Sequence, residues 1–126
     1  MIVKCISTKR IGRDDKYESL TVGKEYVVLS IEFYDSNFSF SGVVGDYIIY
    51  RIKDNDGRVI PYSSKLFEIS SNKIPKCWVA YQSGEREFEF LPSLWARKSF
   101  WEDYYDDDLI ALEEFEKAER EILTQS

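Results

Sequence analysis

The chain has no histidine anywhere in its 126 residues. That absence removes Ser-His-Asp and Cys-His nucleophilic sites, histidine-ligated metals and the commonest proton shuttle at neutral pH. Cysteine is nearly absent too. Cys5 and Cys77 lie far apart and outside any C-x-x-C spacing, so neither a disulfide framework nor a zinc site is indicated, and both are expected to be reduced and buried. The few glycines form no phosphate-cradling loop, so the usual nucleotide-enzyme signature is missing. No apolar run approaches the ~20 residues that a membrane helix needs, and Met1–Ile6 is too short for a signal-peptide core. The expectation is a cytoplasmic protein with no membrane partner and no cofactor.

Apolar residues make up 44% and charged residues 32%, which is a globular composition, and the length suits one domain. Aromatics are abundant: Trp78, Trp95 and Trp101 stand among nine Tyr and eight Phe, more than a core this small needs, so some are expected at the surface. Charge is uneven. Residues 1–74 carry 11 basic against 10 acidic side chains, whereas 75–126 carry 6 against 13. A phosphate backbone is bound through clustered Lys and Arg, so this balance argues against a dedicated nucleic-acid binder and fits a surface that meets something basic.

Short β-rich runs separated by turn residues fill the first part. Ile2–Ile6 predicts a strand, the polar stretch Ser7–Ser19 an exposed loop, and the alternation through Glu25–Phe33 a half-buried strand. Tyr34–Gly45, with Phe38 and Phe40, is a long connection. Asp46–Ile52 and Val59–Tyr62 flank Asp54-Asn55-Asp56-Gly57, a strong hairpin signal. Asp54–Gly57 also resembles the start of a calcium loop, but Val59, Ile60, Pro61 and Tyr62 stand where later ligands are needed, so the hairpin reading is preferred. Leu66–Ile69 completes about five strands.

Leu20–Tyr26, Tyr50–Gly57 and Leu66–Ile69 together resemble small bacterial and phage proteins with an SH3-like barrel, mostly of unassigned function. The resemblance implies a partly open antiparallel barrel and says little about activity. After it, Cys77–Tyr81 and Arg86–Leu91 predict a further hairpin, with Phe88 and Phe90 on one face and Glu87 and Glu89 on the other. Glu85, Glu87 and Glu89 are read as solvated. Ser99-Phe100-Trp101-Glu102 matches a capping box, and Leu109, Leu112, Phe115, Ile122 and Leu123, with Ile110 and Ala118 beside them, predict an amphipathic helix resting its apolar stripe on the barrel. The expected fold is therefore α+β and mainly β. A single domain comprises barrel core 1–74, added hairpin 75–98 and acidic helical tail 99–126.

Phe100–Asp108 is similar to the tails of small immunity-type proteins from bacterial toxin loci. Asp103, Asp106, Asp107 and Asp108 could gather a hard cation, but carboxylates complementing a helix N-terminus are the preferred reading, and no metal is expected. Ser70-Ser71-Asn72-Lys73 has the S-x-x-K spacing but sits in a polar linker. The aromatic residues beside the acids are more distinctive, since Trp and Tyr anchor interfaces while carboxylates steer basic partners. Trp101, Tyr104 and Tyr105 are therefore the candidate anchors, and Asp103, Asp106, Asp107, Asp108 and Glu114 the candidate attracting charges. Packing of the tail on the barrel is the competing role, and for Trp101 the preferred one. These residues point to a non-enzymatic interaction protein of the immunity or inhibitor kind, meeting a basic toxin. The alternatives are a nucleic-acid-binding barrel using Lys9, Arg10, Arg13 and Lys16, and an enzyme built on carboxylates in a deep pocket.

Overall fold

A computed structural model describes residues 1–35 and 47–126. Its strands are β1 (Ile2–Cys5), β2 (Glu25–Phe33), β3 (Ile48–Lys53), β4 (Val59–Ser63), β5 (Phe67–Ser71), β6 (Trp78–Gly84) and β7 (Glu87–Pro92), followed by helices α1 (Phe100–Tyr105) and α2 (Leu109–Gln125). The fold is α+β and mainly β, an antiparallel, partly open barrel with helices packed on it. The connection through Phe38 and Phe40 lies outside the described residues.

β2 organises the sheet. β3 runs along one edge, while β1 pairs with its first half at Ile2 and Val27, and β7 with its second half at Ile31 and Phe90. The alternation of β2 predicts one solvated face, yet Val28, Leu29, Ser30, Ile31 and Glu32 are all buried. A register shift between Val28 and Ser30 leaves Leu29 out of the ladder, and such a bulge bends a strand. Helices and barrel interior then cover β2 from both sides.

The Asp54–Gly57 hairpin forms as expected. Asp54 accepts hydrogen bonds from the Asp56 and Arg58 amides at 2.9 and 3.1 Å and from the Tyr62 hydroxyl at 3.0 Å, and Gly57 takes the left-handed conformation at φ +77°. Three well-placed donors satisfy this buried carboxylate.

The C-terminal part departs from expectation in two places. α1 starts at Phe100, but Ser99 sits at φ +66° and makes no side-chain cap bond. A capping hydroxyl reaches the second or third amide from an extended backbone, so the left-handed turn removes the geometry of the capping box. The working cap belongs to α2, where Asp108 is extended and accepts from the Ala111 amide at 3.0 Å. Asp108→Ala is expected to lower stability by about 1 kcal/mol in urea denaturation.

The buried stripe of α2 is Ala111, Phe115, Ala118 and Ile122, whereas Leu109, Ile110 and Leu123 are exposed. Phe115, Ala118 and Ile122 thus hold the expected face, and the two leucines and Ile110 do not. Alanines at the contact leave room for the neighbouring chain, and the helix is turned so that its larger aliphatics at the first turn look outward. One hydrophobic cluster runs through all three segments, from Val3 and Val28 through Trp78 and Leu91 to Trp95, Phe100, Phe115 and Ile122.

Candidate functional site

The residues singled out near the carboxy terminus divide into two groups. Trp101 and Tyr104 pack inward. The Trp101 ring lies against Trp95 and Phe100 at 5.4 and 5.0 Å and carries the Arg51 guanidinium 4.3 Å from its centre, and Tyr104 lies 4.6 Å from Phe115. Tyr105 keeps part of its ring exposed, but its hydroxyl accepts from Arg51 Nη1 at 2.7 Å and donates to the Val59 carbonyl at 2.6 Å. The packing role preferred for Trp101 therefore describes Tyr104 as well. Three of the carboxylates are also taken up by the chain itself: Arg97 donates through Nη1 to Asp103 at 2.8 Å and through Nη2 to Glu114 at 3.0 Å, and Asp108 caps α2.

The second group is the turn between α1 and α2. Asp106, Asp107 and Asp108 are exposed there, and among the described residues neither Asp106 nor Asp107 makes an ion pair. Asp107 adopts a left-handed φ of 59°. Immediately after them Leu109 and Ile110 stand 77% and 67% exposed, so the turn presents carboxylates and two large aliphatics side by side. An apolar cleft lies against Tyr104 and Tyr105, walled by Gly57–Ile60 of the β3–β4 hairpin. Leu109 and Ile110 escape a sequence reading because they fit the three- and four-residue spacing of a buried stripe.

A third arrangement was not expected. Glu89, read as solvated, is 7% exposed and lies directly opposite Glu32 in the β2–β7 ladder. Strand alternation puts Glu87 and Glu89 on one face, but α1 covers part of that face and takes Glu89 out of water. Glu32 and Arg51 are 1% and 6% exposed and pair at 2.6 Å, while Trp101 Nε1 donates to Glu89 at 3.4 Å. Burial, and next the charge of Glu32, push the Glu89 carboxyl up to about 8. Burial is the largest influence and opposes the charge on Arg51, but Glu32 and Tyr105 together overcome it and hold the guanidinium above its ordinary range.

A cleft of about 280 Å³ opens beside this cluster, with Glu89, Trp101, Lys98 and Glu102 among its walls. Glu32 is not one of its lining residues. The pocket around a carboxyl that an enzymatic reading requires is thus present in outline, with the second carboxyl of the pair turned to Arg51. The basic loop is arranged differently again: Arg10 and Arg13 both pair with Asp15 at 3.2 Å, and Arg10 also lies over Tyr17.

Both cysteines are free, with Cys5 buried and Cys77 half-buried. Among the described residues no cluster of acidic and thiol side chains is arranged to hold a metal ion, and no helix is long and apolar enough to cross a membrane. Comparison with known proteins finds no matching family, no matching curated protein and no matching solved structure.

Proposed function

We propose that the chain is a non-enzymatic protein-interaction module of the immunity or inhibitor kind, acting in the cytoplasm on a basic toxin domain. The observation that supports it is the exposed turn at 106–110, where unpaired carboxylates adjoin two aliphatic side chains facing water. Asp106 and Asp107, with the rest of the net negative second half, draw in a basic partner. Electrostatic complementarity of this kind raises association rates and rejects partners of like charge. Leu109 and Ile110 are the apolar anchors in this reading, with the cleft beside Tyr105 as an adjoining surface, while Trp101 and Tyr104 hold the platform. The similarity of Phe100–Asp108 to immunity-type tails is in keeping with this role.

The enzymatic reading draws support from Glu89 in its cleft, but the one other carboxylate on the walls, Glu102, is exposed to solvent, and the carboxyl set against Glu89 in the ladder, Glu32, is paired with Arg51 outside the cleft. Binding of nucleic acid through the first loop is disfavoured because its basic side chains are interspersed with acids: Asp15 pairs with Arg10 and Arg13, and Asp14 and Glu18 line one surface with Lys9 and Lys16.

The experiment is quantitative affinity capture with wild type, Asp106→Lys/Asp107→Lys and Leu109→Asp, each checked for folding by circular dichroism. Recovery of one basic protein is expected to fall at least about tenfold in both variants, corresponding to ~1.4 kcal/mol or more, and to weaken with added salt in the wild type. Undiminished recovery in the charge-reversal variant would refute the proposal. Retardation of DNA or RNA at low salt, with no protein captured, would favour the nucleic-acid reading instead.

A further inference from the structure

The ladder sets Glu32 directly opposite Glu89, and like charges in that position repel. Both are buried, and among the described residues Arg51 is the one guanidinium in contact, already committed to Glu32 Oε1 and to the Tyr105 hydroxyl. Two ionised carboxylates would leave an uncompensated charge out of water, which is far more costly than a neutral carboxyl. Glu32 Oε2 is itself buried, and among the described residues it has no donor unless Glu89 supplies one. A proton on Glu89 removes the repulsion and offers that oxygen a donor from the residue directly across the ladder.

We infer that Glu89 and Glu32 share a single proton in the folded protein, and that this proton fastens α1 to the barrel. α1 sits on the cluster through two contacts, Trp101 Nε1 donating to Glu89 and the Tyr105 hydroxyl accepting from Arg51; the first by itself favours an ionised Glu89, so the proton acts on α1 by relieving the Glu32–Glu89 repulsion beneath it. The groups facing the pair are Arg51 from β3, Trp101 and Tyr105 from α1, Tyr81 opposite Glu89 on β6, and Tyr34, the residue after β2. Lys98, Arg97 and Glu102 border the adjoining cleft, and Arg97 is neutralised by Asp103 and Glu114. Burial, first of all, holds the Tyr105 and Tyr34 hydroxyls above their ordinary range, so neither competes for the proton near neutrality.

The sign of the pH dependence follows from where each state holds the proton. An unfolded chain loses it near the ordinary value of 4.5, while the folded chain keeps it to about 8. Between those values the folded state binds more protons, so stability contributed by this site is complete below the lower value, declines as pH rises and levels off above the upper one.

The test compares wild type with Glu89→Gln, which keeps the side-chain shape and cannot ionise. Melting temperature and tryptophan fluorescence are followed from pH 5.5 to 9.5. The difference between the two proteins cancels groups common to both, such as the amino terminus, which burial holds below its ordinary value of 8.0. The expected result is a wild-type melting temperature that falls towards alkaline pH, with a tryptophan spectrum that changes over the same interval, and a variant that lacks both changes and melts above the wild type at pH 9. Parallel profiles in the two proteins would overturn the inference. Carbon-13 NMR of wild type labelled at glutamate side-chain carboxyls gives an independent measure. One carboxyl titrating near 8 is expected, and all glutamates titrating below pH 5.5 would overturn it.

Discussion

Arg51→Met will lower the unfolding free energy by about 3–5 kcal/mol, measured by urea denaturation at neutral pH. Methionine fills a similar volume but leaves Glu32, almost wholly buried, without its 2.6 Å partner. The cost is that of a charge abandoned away from water, which exceeds what the intact pair contributes. Two further contacts go with it, the stacking of the guanidinium over Trp101 and its bond to the Tyr105 hydroxyl. Arg51→Lys should lose less, because it restores the charge but not the fork that reaches Glu32 and Tyr105 together. If Arg51→Met proves neutral, Glu32 is taking up a proton or reaching water, and the description of a closed cluster fails.

Trp95→Ala should cost about as much, roughly 3–5 kcal/mol, for a different reason. Trp95 is fully buried and stacks on Phe115 at 5.0 Å and Phe100 at 5.6 Å, with its indole N–H donating to the Glu114 carbonyl at 3.1 Å. Removing it opens a cavity where α1 and α2 meet the barrel. Far-ultraviolet circular dichroism should show loss of helix before loss of strand if the barrel can stand without its cover. A single transition at a lower midpoint would show that helices and barrel unfold together. Trp101 touches both Trp95 and Arg51, so these two substitutions are not expected to add independently.

Local patterns in the sequence were enough to locate most of the strands. The Glu25–Phe33 strand and the Asp54–Gly57 hairpin are legible because alternation and turn chemistry act between near neighbours. Faces are harder. Alternation places Glu87 and Glu89 together but does not say that α1 will cover one of them, and so a carboxyl that reads as solvated becomes the most perturbed acid among the described residues. Nor does spacing distinguish Leu109 and Ile110, facing water, from Phe115 and Ile122, facing the core. The capping box at Ser99 fails for a related reason, since the direction in which the chain enters α1 is set by Trp95 and Phe100 packing and not by Ser99. Within the candidate interface, the acidic turn is visible from composition, whereas the internal engagement of Asp103 and Glu114 by Arg97 depends on two helices meeting.

Pro61 in β4 has a further consequence. Among the described residues β4 pairs in the sheet only with β3, and its other side carries no strand, with Tyr105 of α1 taking up the Val59 carbonyl at one end. Proline has no amide hydrogen to offer there, and an approaching extended peptide finds a gap where a ladder rung should be. Self-association by joining sheets is thereby discouraged at β4, and a crowded solution would meet the opposite margin, β5 with its outward Ile69, as the more adhesive one.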